Sequence, residues 1–305
     1  MSNYDLAIAY RIYPKVSQPA LGLPFSDDKL HLSEICLRSF KESLGTLRTK
    51  MWVILDGCPE EYAQLFSKYF DSQDLELIRL PAAGNQATFG KQLDILLGQT
   101  DSDIVYFAED DYVYLPGEFH RMIDFLRSTK DVHFVSPYDH LDCYTCELHH
   151  FPKWIRVHGQ HHWRTAASTC LTFLTRKSTL QKKQLVFRTY SWRNHDCSLW
   201  LSLTKHALFN PFEFVRHSVR QPLFAKMIAK SWFYGWPQIL FGTRMKLWVP
   251  VPAIATHLDS KALSPAFDWI ATINHLGSGD SQAPQAEREQ PATQQTPLPV
   301  HGAGR

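Results

Sequence analysis

Short apolar runs alternate with amphipathic segments as far as residue 108, and this pattern constrains the fold more than any other feature of the chain. Four runs have the length and apolar content of buried β-strands: residues 5–13, 51–55, 75–80 and 104–108. Three segments between them carry apolar residues at helical spacing: residues 32–44, 59–69 and 89–97. Strands that alternate with helices predict an α/β fold with a mostly parallel, wound sheet.

Polar residues fall at the carboxyl ends of the predicted strands, where this kind of sheet binds its ligands. They are Tyr10, Arg11, Asp56, Glu109, Asp110 and Asp111. The last three are adjacent carboxylates, which repel one another unless a cation is near. Mg²⁺ and Mn²⁺ prefer oxygen ligands and can bridge a carboxylate to a diphosphate. The triplet therefore predicts a metal–diphosphate site, with a solvated acidic turn as the alternative.

The second half of the chain is less regular. We expect strands at 132–137 and 169–175, a helix at 197–203 and a loop-rich region at 140–162.

The C-terminal segment 276–305 is predicted to be a disordered tail. From Gly277 onward the sequence has no aromatic residue and is dominated by Gln, Pro, Ala and Gly. The rest, 1–275, is predicted to form one domain with halves 1–140 and 141–275.

The composition is that of a globular protein that does not bind nucleic acid. The formal net charge is +2 at pH 7, whereas proteins that neutralise phosphates are far more basic. No apolar run approaches the roughly 18 residues of a membrane-spanning helix. The N-terminus lacks the layout of a secretory signal, so we expect a cytoplasmic protein with six reduced cysteines.

The segment Tyr106–Pro116 carries a family resemblance. Its strand, acidic triplet and aromatic-Leu-Pro continuation resemble the DXD segment of GT-A-fold, family 2 glycosyltransferases. The resemblance extends from the N-terminus to about residue 140, and more weakly to about residue 270. It implies a GT-A-like nucleotide-diphospho-sugar transferase fold with an irregular acceptor-side half, a divalent cation (Mn²⁺ or Mg²⁺) and a UDP- or GDP-linked sugar donor.

The resemblance also implies roles for the acidic triplet. Asp111 matches the Asp that binds the metal directly, and Asp110 matches the Asp that lies against the sugar-nucleotide. Glu109 takes the first position of the motif and becomes a further candidate metal ligand.

Other matched positions are expected to contact the nucleotide. Asp56 matches the Asp that hydrogen-bonds the base, and Lys91 matches a basic residue that reaches the nucleotide. Tyr10 and Arg11 take positions against the base, where family members usually have Thr or Ser and an aromatic residue.

Two residues of the second half complete the expected site. Sugar transfer with inversion needs a carboxylate that takes the proton from the acceptor hydroxyl. Asp196 resembles this base, although a helix N-cap is an alternative role for the same residue. His257 resembles the late histidine that GT-A enzymes bring to the metal and diphosphate, with a structural role as its alternative.

Three further features leave alternatives open. Cys143 and Cys146 form a CxxC motif followed by several histidines, which could bind zinc. Trp163 and Arg164 could shape the substrate pocket, or else pack in the core and form a surface ion pair. Residues 214–248 are aromatic and basic without Asp or Glu, and could contact a membrane at its inner face or form an ordinary helical subdomain.

The sequence therefore predicts a metal-dependent, inverting glycosyltransferase. The resemblance suggests a glycan or lipid-linked acceptor in cell-surface glycan biosynthesis. The alternatives are a nucleotidyltransferase of similar sheet architecture and a non-catalytic, zinc-stabilised binding protein.

Overall fold

The computed structural model describes residues 3–146, 149–210, 212 and 221–278. These residues form a nine-stranded sheet, a two-stranded ribbon and flanking helices. The strands are β1 (Leu6–Ile12), β2 (Thr49–Asp56), β3 (Leu75–Leu80), β4 (Ile104–Glu109), β5 (Tyr112–Tyr114), β6 (Phe134–Val135), β7 (Ile155–His158), β8 (His161–Ala166), β9 (Phe173–Arg176), β10 (Leu247–Val251) and β11 (Ala255–His257). The helices are α1 (Lys29–Leu44), α2 (Glu60–Tyr69), α3 (Asn85–Gly98), α4 (Phe119–Ser128), α5 (Asp142–Thr145), α6 (Lys177–Arg188), α7 (Asp196–Thr204), α8 (Pro222–Phe241) and α9 (Trp269–Ser278).

The first half of the sheet confirms the predicted parallel arrangement. The strand order is β3-β2-β1-β4-β9-β6-β10-β8-β7, and β3, β2, β1 and β4 pair in parallel. Each of these four strands begins and ends within two residues of the positions predicted from the sequence. The carboxyl ends of β1 and β4 are therefore neighbours, which brings Arg11 and Glu109 into register.

Two helices begin earlier than the apolar spacing indicates. Helix α1 begins at Lys29 because the side chain of Asp28 accepts a hydrogen bond from the backbone N–H of His31 at 3.0 Å. Helix α3 begins at Asn85, directly after Gly84. Both additional first turns lie at the edge of the sheet where the strands end, so they add residues to the cleft described below.

The second half of the sheet is mixed, and the loop-rich prediction for 140–162 is wrong in part. Strands β7 and β8 form a hairpin that turns at Gly159, whose φ of +60° suits glycine. Strand β8 then pairs antiparallel with β10, and β10 pairs in parallel with β6. Along β7, exposed Ile155 and Val157 alternate with half-buried neighbours. The many histidines of this region hide that alternation in the sequence.

Apolar side chains pack on both faces of the sheet, and strand β1 contributes to each. Leu6, Ile8 and Tyr10 belong to one core cluster, and Ala7 and Ala9 belong to the other. Successive side chains of a strand point to opposite faces, so the Arg11 side chain lies on the same face as Ala7 and Ala9.

The ribbon of β5 and β11 joins the two halves of the chain. The strands are antiparallel, with Tyr112 opposite His257. The backbone N–H of Leu258 also donates to the carbonyl of Asp111 at 2.8 Å. The ribbon therefore holds His257 beside the acidic triplet.

Helix α9 packs on α1 and extends past the predicted start of the tail at residue 276. Leu276 is buried with Trp269 and Ile273, which explains why the helix continues to Ser278. The rest of the predicted tail, 279–305, lies outside the described residues. Among the helices described above, none is both long and apolar enough to cross a bilayer.

Arg164 forms a buried ion pair with Asp139, which differs from both roles considered for it. Arg164 is 6% exposed and Asp139 is 1% exposed. Burial raises the pKa of Asp139, and the Arg164 charge opposes that rise. Trp163 is fully buried in the core, as one of its alternatives predicted.

We expect Arg164→Met to lower the free energy of unfolding by about 3–5 kcal/mol, because it leaves the Asp139 carboxylate buried without its partner. Urea denaturation followed by circular dichroism measures this change. The matched control is Arg156→Met on β7, whose partner Asp131 is 38% exposed, so its loss should cost less than about 1 kcal/mol. Equal losses in the two variants would contradict the prediction.

Candidate active site

Asp111 and His257 are paired at the carboxyl edge of the sheet. His257 Nε2 lies 3.1 Å from Asp111 Oδ2, and the two side chains are 17% and 21% exposed. Burial disfavours the charged form of each group, but each stabilises the charge of the other. The pKa of His257 is therefore raised to about 9, and the pKa of Asp111 is lowered. The other oxygen of Asp111, Oδ1, is buried and has no hydrogen-bond partner.

Asp110 lies beside this pair and contacts a cation. Its Oδ2 lies 2.6 Å from Lys29 Nζ and accepts a longer hydrogen bond from the backbone N–H of Tyr13, at 3.4 Å. Burial raises the pKa of Asp110, and repulsion by Asp111 adds to this, while Lys29 opposes it. Sequence reasoning missed Lys29, since only the cap at Asp28 signals that a helix begins there.

Glu109, the further candidate metal ligand, lines the same cleft but has hydrogen-bond partners on both oxygens. One of its oxygens pairs with the Arg11 guanidinium, and the other accepts a hydrogen bond from Thr172 Oγ1 at 2.7 Å. Arg11 also donates to the carbonyl of Asn85 at 3.0 Å. The Arg11–Glu109 pair therefore links strands β1 and β4. Arg11 also lines the cleft that is described below.

Asp56 lies in the cleft and orders a loop. Its two carboxylate oxygens accept the backbone N–H groups of Ala83 and Gly84, at 2.6 and 2.8 Å. Each carboxylate oxygen has a second acceptor site, so a further donor can still bind.

A cleft of about 430 Å³ runs along this edge. Its walls include Arg11, Tyr13, Lys29, Asp56, Asp110 and Asp111. These side chains come from the ends of three parallel strands and the first turn of α1. The structure thus brings most of the residues predicted for the donor site to one place.

Two predicted nucleotide contacts are not in this cleft. Tyr10 is 1% exposed and packs against Phe40 and Phe66, because the alternation along β1 turns it to the opposite face from Arg11. Lys91 is exposed on α3 and does not line the cleft.

Asp196 lines a second pocket of about 240 Å³. It is the first residue of α7, and its Oδ1 accepts the backbone N–H of Cys197 at 2.6 Å and lies 2.5 Å from His195 Nδ1. The hydrogen bond with Asp196 raises the pKa of His195. The N-cap of α7 is His195, whose Nδ1 also accepts the backbone N–H of Cys197, so the N-cap role considered for Asp196 belongs to its neighbour. The Asp196 carboxylate faces the second pocket.

Cys170 and His140 line the second pocket and experience charges from both halves of the chain. Burial raises the pKa of Cys170 well above its usual range, and the negative charges of Asp196 and Glu109 add to the effect. Burial lowers the pKa of His140, which experiences the charges of both Asp196 and His257. Both side chains line the second pocket with Asp196.

The CxxC motif does not assemble a zinc site in the described part of the chain. Cys143 Sγ lies 3.8 Å from His149 Nδ1, but no group of three His, Cys, Asp or Glu side chains there is arranged to hold a metal. Cys143 is instead buried beside Arg164.

The pair of Asp111 and His257 fits a divalent cation that also binds a substrate. Asp111 Oδ1 is a buried anionic oxygen without a partner. His257 would add an imidazole nitrogen that suits Mn²⁺ once a bound cation displaces the proton that it shares with Asp111. Mg²⁺-type ions in phosphoryl sites commonly take few protein ligands and complete their shell with phosphate and water. Two protein ligands are therefore compatible with such an ion.

A wound sheet with a polar cleft at its carboxyl edge is typical of α/β enzymes that bind nucleotides. A model of the family described as glycosyl transferase family 2 matches residues 34–190, just over half of the 305 residues. The chain belongs to this family and is a glycosyltransferase with a GT-A-like fold. This assignment overturns the non-catalytic alternative. A search among curated proteins finds no match.

Several solved structures are distantly similar. The galactosyltransferase LgtC, solved with donor and acceptor sugar analogues, has 12% identity and a TM-score of 0.40 over 92% of this chain and 98% of its own. The glycosyltransferase GlyE of Streptococcus pneumoniae TIGR4 has 12% identity and a TM-score of 0.38, over 90% of this chain and 63% of its own. A cytidylyltransferase of Leptospira borgpetersenii serovar Hardjo-bovis has 13% identity and a TM-score of 0.31, over 60% of this chain and 64% of its own.

Proposed function

We propose that this glycosyltransferase moves a sugar from a nucleotide-sugar donor to an acceptor hydroxyl, with inversion at the anomeric carbon. The observation that carries the proposal is the buried, unpartnered Oδ1 of Asp111 beside His257, at the carboxyl edge of the sheet. A carboxylate oxygen left without a partner in this position suits a cation brought in with a diphosphate.

The first cleft is the proposed donor site. Asp56, at one side of the cleft, accepts a hydrogen bond from the nucleotide base, and Lys29 and Arg11 supply positive charge along the wall. Asp110 contacts the sugar-nucleotide. A UDP- or GDP-linked sugar has the mixture of base, ribose and diphosphate that these groups recognise.

Asp111 and His257 would hold the divalent cation, Mn²⁺ or Mg²⁺. When bound, the ion neutralises the negative charge that grows on the leaving diphosphate. Glu109 is the less favoured ligand, because its two oxygens already contact Arg11 and Thr172.

Asp196 is the proposed base. The acceptor hydroxyl binds in the second pocket, attacks the anomeric carbon and passes its proton to the Asp196 carboxylate. The new bond joins the acceptor oxygen to the sugar, and the broken bond releases a nucleoside diphosphate. The acceptor approaches from the side opposite the leaving group, so the anomeric configuration inverts.

The two halves of the chain divide these tasks within one domain, 1–275. Residues 1–140 supply the donor cleft and residues 141–275 supply Asp196 and His257. The contact of Asp111 with His257 supports this shared site. We propose a glycan or lipid-linked acceptor of cell-surface glycan synthesis, as in the family that the sequence resembles.

A panel of nucleotide-sugars and sugar acceptors incubated with Mn²⁺ tests the proposal through its products. We expect one donor to yield a nucleoside diphosphate, and EDTA to lower that rate at least about 100-fold, because the leaving-group charge is then unneutralised. Restoring Mn²⁺ should restore the rate. Nuclear magnetic resonance of the product gives the anomeric configuration. Release of pyrophosphate would indicate a nucleotidyltransferase instead, and retention of configuration would contradict the role of Asp196.

A further inference from the structure

Helix α8 exposes a row of large apolar side chains that nothing in the described part of the chain covers. Phe233, Trp236 and Leu240 follow one another at spacings of three and four residues and are 76%, 50% and 50% exposed. Phe241 and Leu223, at the two ends of the helix, are 80% and 68% exposed. The opposite side of the helix is buried, with Met227, Ile228 and Ile239 in a core cluster. We call the five exposed side chains the α8 face.

Single exposed apolar residues are ordinary, but a continuous apolar patch marks an interaction surface. Two phenylalanines and a tryptophan among five residues are typical of helices that lie at a membrane–water interface. No described helix, α8 included, is long and apolar enough to cross a bilayer.

All the charged side chains of helix α8 are positive. The sequence has no Asp or Glu between residues 214 and 258. Lys226 is exposed in line with Ala229 and Phe233. Lys230, also on α8, donates to the carbonyl of Arg193 at 3.0 Å, so a second cation lies in the N-terminal half of the helix.

We propose that the α8 face docks on an anionic lipid surface. The apolar rings enter the interface, and the flanking lysines meet acidic headgroups. A second copy of the chain fits less well, because a two-fold contact joins two copies of a helix that carries lysines and no carboxylate to pair with them. This narrows the membrane contact expected for 214–248 to a defined set of side chains, although residues 214–220 lie outside the described ranges.

The docked orientation also points to the class of acceptor, an inference that rests on the proposed function. Leu223 and Met227, at the N-terminal end of α8, line the same pocket as Asp196. A membrane under the α8 face therefore lies next to the pocket where the acceptor hydroxyl is deprotonated. An acceptor with a lipid anchor could keep that anchor in the bilayer while its sugar reaches Asp196.

Flotation with vesicles tests the docking without donor or acceptor. We expect the purified chain to float with vesicles of phosphatidylcholine mixed with phosphatidylglycerol, less with phosphatidylcholine alone, and less at high salt. Phe233→Ser/Phe241→Ser should weaken apparent binding at least about tenfold, since two exposed rings no longer enter the interface. Lys226→Glu should weaken binding only to the anionic vesicles.

The matched control is Ile155→Ser/Val157→Ser on edge strand β7, which removes two side chains that are 66% and 70% exposed. It should float like the unaltered chain, and thermal melting should show that both double variants are folded. No flotation of the unaltered chain, or equal flotation of the Phe233/Phe241 variant, overturns the proposal. So does a lipid-free dimer in light scattering that this variant dissociates, which identifies a second copy as the occupant. Vesicle binding without nucleoside diphosphate release in the donor panel would count against the proposed function and leave the docking intact.

Discussion

Asp111→Asn is expected to lower kcat/KM for sugar transfer by about 100- to 1000-fold, the scale of losing a preorganised electrostatic contact in a reaction centre. The asparagine keeps the size of the side chain but removes its negative charge. The position of the buried, unpartnered oxygen is then taken by the neutral oxygen or the NH₂ group of an amide, and both bind a cation poorly. Initial rates at saturating and limiting donor, with Mn²⁺ varied, measure the loss.

The control for this variant is Asp94→Asn. Asp94 is 56% exposed on α3 and pairs with Arg188 at the surface, so the same chemical change there should leave kcat/KM within twofold of the unaltered enzyme. Mn²⁺ titration should show a raised half-saturating concentration for Asp111→Asn alone. Full activity of Asp111→Asn in Mn²⁺ would show that the Asp111 carboxylate takes no part in the reaction.

Asp196→Asn is expected to lower kcat by about 100- to 10,000-fold, the usual contribution of a positioned general base. Donor KM should change little, because Asp196 lines the second pocket and not the donor cleft. The carboxylate also accepts the backbone N–H of Cys197, so a helix-end role must be separated from the role of base.

Asn and Ser make this separation possible, since both keep a side-chain oxygen that can accept the backbone N–H of Cys197, and His195 remains the N-cap of α7. We expect Asp196→Asn and Asp196→Ser to melt near the temperature of the unaltered enzyme and to share the loss of kcat. If Asp196 served the helix alone, both variants would keep their activity. The donor-binding affinity, measured by calorimetry with the nucleoside diphosphate, should be the same in all three proteins.

Local pattern was enough to predict the parallel half of the sheet. The strands ending at Ile12, Asp56 and Glu109 are apolar and bounded by turn residues, so their type and order follow from the sequence. The wound-sheet rule then places Asp56, Asp110 and Asp111 at one edge, and the structure brings them into one cleft.

Contacts between distant residues decided what the pattern could not. Both oxygens of Glu109 have partners, Arg11 and Thr172, whereas one oxygen of Asp111 has none. Thr172 is 63 residues away from Glu109 in the sequence. Tyr10 and Arg11 are adjacent, yet the strand sends one ring into the core and one guanidinium to the cleft. Nothing near Lys29 in the sequence announces its contact with Asp110, which depends on how α1 packs against the sheet.

The ribbon of β5 and β11 has a consequence for how the enzyme is made. It brings together Asp111 and His257, which are 146 positions apart. During synthesis the parallel strands can emerge and pair well before the imidazole leaves the ribosome. A chain cut short ahead of β11 would therefore keep the strands that form the nucleotide cleft while lacking one of the two side chains proposed to hold the cation. On this view the cation site is completed only after β11 has been synthesised, later than the parallel strands of the cleft.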